Sequence, residues 1–595
     1  MGYRATFFGI EIAKTGLMIG QKGLDVTGHN IANVDTAGYT RQRLNLSARE
    51  PFFSVPQFKP IGEGRLGAGV RVVVLDQIRD AFLDRQFRRE YTMHGEWSTR
   101  VQGLTYIEAL LEGDETANLS ITLNRLFNAF NDLAKEPYDT AQRVVVKSAA
   151  EQLCADYAKI HSRLLEMQRE QELCVEATVA RINTLTENIG RLNKHIYFFE
   201  LDGQPANDLR DQRNLLLDEL SSLIEVDYSY RQMSDPAYAS NLYDNQLVIK
   251  VGDVVLVDHV NVTKMETLKQ KNPVDYEAGV SMPVWGEVFN SVTGEVIKKI
   301  EKDPSTGLNI MPAVDVRGGK LKGHIDLMMG TGEPAGQYPK EGIPFFVERI
   351  NTMARALVQE LNKVHSAGYT HASDPRGSVT GTDFFNMWNV DKDAAGYRAD
   401  DASTWVYVYE LSKINAGNLR LTDEIAARGG EFAIAASTEV VSFYQEVLNV
   451  GQPGYDENDE STWILGAPDP TKLKSGNQDL SKALYSVYDI SNISINLTGA
   501  PDGARAVGSL NGFVASIVID IAVSLNHAKN MTNTQATLLL ATENQRISIS
   551  GVSLDEEMTH LIRYQHAYQG ASRVVTAMDE ALETIINRMG LVGRS

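Results

Sequence analysis

Two patterns in the sequence contain residue types that could bind a nucleotide or a metal ion, and the first is a glycine-rich segment. Residues 62–67 (GEGRLG) match the glycine spacing of a dinucleotide-binding turn. That turn needs a strand before it and a helix after it, because the helix N-terminus must face the pyrophosphate. Here the β-branched run 70–75 follows, which predicts a strand. We therefore interpret the segment as a turn and not as a nucleotide site.

The second pattern begins like a calcium-binding loop, with Asp391 and Asp393. The fifth position is Ala395 and the twelfth is Ala402, where calcium needs oxygen ligands that include a bidentate glutamate. The eleven histidines contain no H-E-x-x-H pattern, and no G-x-S-x-G elbow or phosphate-binding loop occurs. The sequence thus predicts a solvated acidic loop, no metal ion, no cofactor and no catalytic site; it predicts a protein that is not an enzyme.

The composition favours a large, acidic, globular protein. The 595 residues include 57 Lys+Arg and 77 Asp+Glu, a net charge of −20, which argues against a nucleic-acid-binding surface. Cys154 and Cys174 lie on one predicted helix about 30 Å apart, too far for a disulfide. The apolar run 513–525 is short for a membrane span and contains Asp520. No apolar block opens the chain, so we expect no cleaved signal peptide.

An N-terminal helix is predicted by an apolar stripe with seven-residue spacing. The stripe consists of Tyr3, Ile10, Leu17, Leu24 and Ile31. Five glycines share the segment: Gly9, Gly16, Gly20, Gly23 and Gly28. Each interior glycine costs a helix about 1 kcal/mol relative to alanine. We therefore expect this helix to need a partner, and the glycines to let the partner's backbone come close.

The C-terminal segment predicts a complementary helix that begins at a capping box formed by Ser553 and Glu556. Its apolar residues alternate in steps of three and four, as in a coiled-coil seam. The seam consists of Leu561, Tyr564, Tyr568, Ala571, Val575, Met578, Leu582, Ile585 and Met589. One seam at each end of the chain favours packing of the two helices on each other, parallel or antiparallel. A core helix of an ordinary domain is the alternative interpretation.

The middle of the chain alternates between helical and β-rich stretches. Apolar periodicity predicts long helices over 153–196, 343–364 and 513–531, and a hairpin over 247–257 that turns at Gly252. A second turn is predicted at Thr293-Gly294.

The expected fold class is α+β multidomain, with paired terminal coiled-coil helices, a long-helix bundle domain and β-rich inserted outer domains. The expected units are a terminal coiled-coil domain from 1–50 and 546–595, a helical domain from 51–230, 316–370 and 476–545, a β-rich insertion over 231–315 that folds on its own, and a loop-rich acidic insertion over 371–475.

Two terminal motifs resemble the signatures shared by bacterial flagellar rod, hook and hook-associated proteins. They are residues 30–41 (NIANVDTAGYTR) and residues 550–557 (SGVSLDEE) with 561–568 (LIRYQHAY). The first motif reads physically as a helix end, because Asn30 and Asn33 tolerate turn conformations and Gly38 relieves the backbone before an extended exit.

Three interior segments resemble the hook-associated protein 1 family more specifically. They are residues 207–220 (NDLRDQRNLLLDEL), 318–326 (GGKLKGHID) and 361–369 (LNKVHSAGY). One departure is Gln569-Gly570, where the family has small helix formers; it leaves the register of the C-terminal seam open.

The resemblance implies a structural subunit of the ring that joins hook and filament. The two apolar stripes, with Asn30, Asn33, Gly38 and Tyr39, would form the assembly interface. It also implies export through the flagellar type III channel and an extracellular location. The implied partners are the hook protein, hook-associated protein 3, further copies of the chain, and an export chaperone that binds the C-terminal helix, with no nucleic acid and no membrane. Two alternatives stay open: a hook or distal rod protein, and an enzyme or adhesin carried by 231–315 or 371–475 on an axial scaffold.

Overall fold

The structure is a computed structural model, and it describes the part of the chain within residue 8 to residue 584 with internal gaps. The described residues are 8–49, 67–113, 119–201, 205–232, 245–270, 279–286, 288–289, 296–298, 301–302, 309–310, 313–332, 340–386, 388–390, 407–409, 414–441, 443–448, 450, 464–473, 493–496 and 505–584. Several sequence predictions lie outside them: the turn at 62–66, the acidic loop at 391–402, the turn at Thr293-Gly294, and the seam residues Tyr3, Ile585 and Met589.

Helices dominate the two ends and the middle of the chain. In chain order they are α1 (Phe8–Ala32), α2 (Ala81–Glu112), α3 (Leu119–Lys135), α4 (Thr140–Glu200), α5 (Asn207–Leu223), α6 (Gly319–Met329), α7 (Ile343–His365), α8 (Asp423–Ala426), a 3₁₀ turn (Gly430–Ala433), α9 (Leu510–Ser550) and α10 (Leu554–Glu583).

The strands form small antiparallel sheets between the helices. They are β1 (Gln42–Ala48), β2 (Val70–Gln77), β3 (Asp227–Gln232), β4 (Asn245–Val251), β5 (Val254–Asp258), β6 (Asn261–Val262), β7 (Met265–Gln270), β8 (Val280–Trp285), β9 (Val288–Phe289), β10 (Val296–Lys298), β11 (Glu301–Lys302), β12 (Asn309–Ile310), β13 (Trp388–Val390), β14 (Tyr407–Tyr409), β15 (Phe443–Val447), β16 (Leu465–Leu473), β17 (Ile493–Asn496) and β18 (Arg505–Gly508). Strands β3 to β6 make one four-stranded sheet, and the others pair in twos. This confirms the predicted α+β class.

Helix α4 is the longest element, with 61 residues. Asp139 starts it, because its side chain accepts a hydrogen bond from the backbone N–H of Ala141 at 2.9 Å. Both cysteines lie on α4, as the sequence predicts. The N-terminal half of α4 and its C-terminal half are buried in two different hydrophobic cores.

The first core is formed by helices. It joins α2, α3, the first half of α4, α7 and the first half of α9. Parts of the range 371–475 also belong to it, through Phe384, Phe385, Ile414, Leu421 and Ile434, all at most 5% exposed. The expectation of a loop-rich insertion is therefore corrected in part, because the described residues 380–386 and 414–436 complete the helical core.

The second core corrects a further expectation, that 231–315 folds on its own. Strands β4, β5, β7 and β8 bury Leu247, Leu256 and Trp285 against Val179 and Ile182 of α4, together with α5 and α6. Polar contacts fix the same packing: the side chain of Asn183 donates to the backbone oxygen of Met265 at 2.8 Å. The hairpin itself is as predicted, with Gly252 at φ +56° between β4 and β5. A β segment that shares its core with helices is not an independent unit.

Helix α9 explains the apolar run near residue 513. The helical stretch Leu510–Glu583 contains an 18-residue window that is long and apolar enough to cross a membrane by length and composition. The sequence analysis considers only the apolar run 513–525, which is shorter than a membrane span, so it does not predict this longer apolar window. In the structure Phe513, Ile517 and Ile521 are buried in the helical core, which is the environment of a core helix.

Candidate assembly interface

Helices α1 and α10 pack on each other in antiparallel directions. Gly9 lies opposite Met578, and Gly23 lies opposite Tyr564. A Cβ atom added at Gly20 would lie 3.0 Å from the Cα of Tyr568, so the two backbones are close. The geometry confirms the expected pairing and selects the antiparallel direction, which the sequence leaves open.

The face of α1 that contacts α10 consists of small or polar residues in alternating steps of four and three. This small-residue face is Gly9, Ala13, Gly16, Gly20, Gly23, Thr27 and Asn30. Opposite the four glycines, α10 presents three bulky side chains and one small one: Met578, Ala571, Tyr568 and Tyr564. Glycine is required opposite Tyr564, since a Cβ at Gly23 would overlap the ring of that tyrosine.

The predicted apolar stripe of α1 lies beside this face and not in its centre. Ile10, Leu17, Leu24 and Ile31 are each only partly buried. The predicted residues of α10 are also partly buried: Leu561, Tyr564, Tyr568, Ala571, Val575, Met578 and Leu582. Both helices therefore keep apolar surface that stays partly exposed among the described residues. Tyr3 and Ile585 lie outside the described residues.

Asn30 is the polar end of the small-residue face and is almost completely buried, with 1% exposure. Its side-chain oxygen accepts hydrogen bonds from the Tyr39 hydroxyl at 2.8 Å and from the backbone N–H of Gln42 at 3.1 Å. Its amide nitrogen donates to the backbone oxygen of Gln42 at 2.9 Å and to Glu557 at 3.1 Å. One side chain thus ties α1, β1 and α10 together.

Arg41 and Glu557 form the ion pair at the start of α10. The Arg41 Nε donates to Glu557 Oε1 at 2.8 Å, and its Nη1 donates to Glu556 at 2.6 Å. The backbone N–H of Arg41 also donates to the carbonyl of Ser550 at 2.9 Å. Ser553 occupies the N-cap position but its side chain makes no capping hydrogen bond. The predicted capping box is therefore wrong, because Glu556 contacts Arg41.

Helix α5 contains the interior segment 207–220, and it binds the part of the chain that follows α1. The backbone N–H and the hydroxyl of Thr40 donate to the Asp211 carboxylate at 3.0 and 2.7 Å. Gln42 donates to Asp208 at 2.9 Å. Burial raises the pKa of Asp211 from 3.8 to about 6, although the hydrogen bonds from Thr40 and the charge of Arg79 oppose this shift.

Asp218 connects α5 to α2 and α9. Arg88 of α2 donates to one of its oxygens at 2.7 Å, and Arg546 of α9 donates to the other at 2.7 Å. The Arg546 guanidinium also lies over the Phe87 ring, 4.2 Å from its centroid. These contacts hold the end of α9, and therefore the start of α10, against the helical domain.

The remaining predicted site residues shape the turn between α1 and β1. Gly38 has φ +78°, the left-handed conformation expected of a glycine at a helix exit. The Asn33 side chain donates to the carbonyl of His29 at 3.0 Å and accepts from the Thr36 hydroxyl at 3.2 Å. The turn therefore directs Tyr39 back towards Asn30.

The segment 361–369 has a structural role inside the first core. The Asn362 side chain accepts from the backbone N–H groups of Phe384 and Phe385 at 3.0 and 2.8 Å. His365 is fully buried and bridges Thr382 and Ala435, with both heavy-atom distances under 2.9 Å. Burial lowers its pKa to about 4, so the ring is neutral at pH 7.

Sequence reasoning missed the charged residues that join these motifs. Arg41, Asp211, Asp218, Arg546 and Glu557 all lie inside or next to segments singled out for family resemblance, but no local pattern indicates which of them meet. Among the described residues, no three His, Cys, Asp or Glu side chains are placed to share a metal ion.

Comparisons with known proteins match the same regions. Residues 104–385 match the model of the flagellar hook-associated protein FlgK helical domain. Residues 543–589 match the C-terminal model of the flagellar basal body rod FlgEFG proteins, and residues 10–40 match the flagella basal body rod protein model. The two helices that pair in the structure therefore lie largely within the segments that match these two rod-protein models.

Two relatives that match over nearly the whole chain are similar to it more specifically than the rod-protein models are. The flagellar hook-associated protein 1 of Bacillus subtilis is 26% identical over 99% of this chain and 100% of its own length. That of Salmonella typhimurium is 23% identical over 97% of this chain and 99% of its own. The hook junction protein FlgK of Burkholderia pseudomallei shares the fold, with a TM-score of 0.50 and 14% identity over 79% of this chain and 100% of that one. Over nearly its whole length the chain is therefore similar to proteins named flagellar hook-associated protein 1.

Proposed function

We propose that this protein is a subunit of the ring that joins the flagellar hook to the filament. It assembles through α1 and α10 and does no catalysis. The observation that carries the proposal is the antiparallel α1–α10 pair. Its small-residue face packs against α10, while the apolar stripes of both helices are only partly buried. Surfaces of this kind gain further partners only when neighbouring copies surround them.

The exposed apolar residues of α9 and α10 support the same proposal. The large hydrophobic side chains that are exposed include Val523 and Leu540 on α9, and Met558 and Ile562 on α10, each at least 50% exposed. A monomer in water gains nothing from such surface, whereas the hook protein, hook-associated protein 3 or a second copy would cover it. Before assembly the same helix face suits an export chaperone, which would bind the amphipathic α10 in a groove.

The proposed route is secretion through the flagellar type III channel to an extracellular position between hook and filament. The two alternatives have no supporting observation of this kind. A hook or rod protein would not account for the FlgK helical domain match, and no described residues form a metal cluster that an enzyme on an axial scaffold could use.

The test compares two glycines on one helix. Gly20→Leu places a side chain where even a Cβ would lie 3.0 Å from the Tyr568 backbone, whereas Gly28→Leu enters open space. Both substitutions raise helix propensity equally. In a strain without the native gene, Gly20→Leu should give hooks without filaments and flagellin in the medium, and Gly28→Leu should restore filaments. Normal filaments with an exported, stable Gly20→Leu protein would refute assembly through the α1–α10 pair.

A further inference from the structure

A polar cavity of about 240 Å³ lies between α2, α5 and β3. Four arginines and two tyrosines are among its lining residues: Arg79, Arg88, Arg210, Arg213, Tyr228 and Tyr230. A neighbouring cleft shares Arg79 and Arg210 with it and adds Arg43. The Asp84 carboxylate also lines the cavity.

Three of the four arginines in the cavity have a carboxylate partner. The pairs are Arg79 with Asp84 at 2.5 Å, Arg88 with Asp218 at 2.7 Å, and Arg210 with Glu200 at 2.6 Å. Asp218 is divided between two cations, because Arg546 donates to its other oxygen. Each of these three carboxylates is therefore already paired with at least one arginine other than Arg213.

Arg213 differs from the other three. It is 5% exposed, and among the described residues it forms no ion pair within 4 Å. Its Nη1 donates to the neutral side chain of Asn193 at 2.9 Å, and its Nε has no hydrogen-bond partner there. The guanidinium carbon lies 5.7 Å from the centroid of the Tyr230 ring, and the Tyr230 side chain also hydrogen-bonds to the guanidinium. Burial and the charge of Arg210 lower the pKa of Arg213, while Glu200 attracts its charge without forming an ion pair with it. A guanidinium stays charged in a protein, and a buried charge without an ion-pair partner in contact is unfavourable.

We propose that this cavity binds a small oxyanion, a carboxylate or a phosphate group, at the guanidinium of Arg213. The planar fork of a guanidinium group donates two parallel hydrogen bonds to such an anion, and the free Nε is one of the donors that this geometry uses. The volume admits a small ion or the end of one acidic side chain. The group comes either from solution or from an aspartate or glutamate of a second copy.

The experiment measures the melting temperature of the full-length protein as chloride is replaced by phosphate or by acetate at constant ionic strength. Anions such as phosphate stabilise many proteins without a site, so the comparison is between variants. Arg213→Gln removes the buried charge, Arg213→Lys keeps the charge without the fork, and Arg181→Gln makes the same charge change at a half-exposed surface ion pair with Glu219.

In the wild type and in Arg181→Gln, the melting temperature should rise with the concentration of phosphate or acetate as expected for one binding site. This rise should be absent in Arg213→Gln and smaller in Arg213→Lys. In chloride alone Arg213→Gln should melt no lower than the wild type, because it removes a buried charge that has no ion-pair partner in contact. An arginine with only a packing role would lower the melting temperature equally in every buffer, and that result would overturn the proposal.

Sedimentation separates the two sources of the anion. If an acidic side chain of a second copy is the occupant, self-association should weaken in Arg213→Gln and in the wild type with added acetate. If a free ion is the occupant, the phosphate response should persist in the monomer with association unchanged. Equal anion responses in the wild type and Arg213→Gln, with unchanged association, would refute both sources; the proposed junction role would be unaffected.

Discussion

The Arg41 side chain lies 2.8 Å from the Glu557 carboxylate, joining two positions that are 516 residues apart in the sequence. Glu557 has a side chain only 4% exposed, and Arg41 one that is 16% exposed. Asn30 donates to the same carboxylate. The two ends of the chain are therefore held to each other and to the helical domain at one point, next to the first turn of α10.

We expect this pair to couple strongly in a double-mutant cycle. Arg41→Ala, Glu557→Gln and the double variant should show a coupling free energy of about 1–3 kcal/mol for the opening of α10, because removal of either partner leaves the other charge poorly compensated. Hydrogen exchange of the α10 amides measures that opening. The exposed pair Arg163–Glu166, with side chains 54% and 56% exposed, is the control and should give less than about 0.5 kcal/mol. Additive effects at Arg41 and Glu557 would show that the pair does not hold the helices.

The raised pKa of Asp211 predicts a pH dependence of stability. The folded carboxyl titrates near pH 6 and the unfolded one near 3.8, so the folded state binds the proton more tightly between these values. The contribution of Asp211 to the free energy of unfolding is largest below pH 3.8 and falls by about 3 kcal/mol as the pH rises through 6. Asp211→Asn removes this dependence.

The measurement is the difference in unfolding free energy between wild type and Asp211→Asn, by urea titration from pH 4 to pH 7. The difference is needed because His365 acts in the opposite direction: its lowered pKa makes the folded state lose stability as the pH falls from 6.5 towards 4. A difference that is constant with pH would contradict the raised pKa.

Two glycine-to-alanine substitutions should have opposite signs. Among the described residues, Gly570 of α10 has no neighbour within 4 Å of an added Cβ, so Gly570→Ala should stabilise α10 by about 1 kcal/mol through helix propensity alone. Gly23→Ala has the same propensity gain but would overlap the Tyr564 ring, so it should destabilise the pair. Protection of α10 amides from hydrogen exchange reports both; equal stabilisation by the two would mean that the helices are not packed as described.

Deletion of 231–315 should unfold the helical region around it. The strands cover Val175, Val179, Ile182 and Leu185 of α4, each at most 3% exposed, and exposing one such side chain costs about 1.5–3 kcal/mol. The sum approaches the whole stability of a typical domain.

The control deletes only 287–312, whose ends are close because Val284 pairs with Ala313. Calorimetry should show that this shorter deletion keeps the cooperative transition and that the longer one loses it. A stable, cooperative protein without 231–315 would restore the interpretation as an independent unit.

The sequence alone predicts which segments are helical but not which surfaces they share. The buried residues of α4 recur at helical spacing whether a helix or a sheet covers them, so periodicity reveals the buried face and not its partner. For this reason the sequence predicts that the β-rich segment 231–315 folds on its own.

The contact face of α1 is only partly predicted. The sequence predicts that the glycines let the partner's backbone come close, and four of them do face α10: Gly9, Gly16, Gly20 and Gly23. The sequence nevertheless favours the stripe of Ile10, Leu17 and Leu24 as the centre of the contact, because glycine, alanine and threonine carry little hydrophobic signal. The contact between Asn30 and Glu557 depends on tertiary structure that no local spacing encodes.

The 61-residue helix α4 also has a mechanical consequence. At about 1.5 Å per residue it is roughly 90 Å long, and it belongs to both hydrophobic cores without a loop between them. A force applied to the β-rich side therefore reaches the helical domain through one continuous hydrogen-bonded rod, with no joint where the two halves could bend apart.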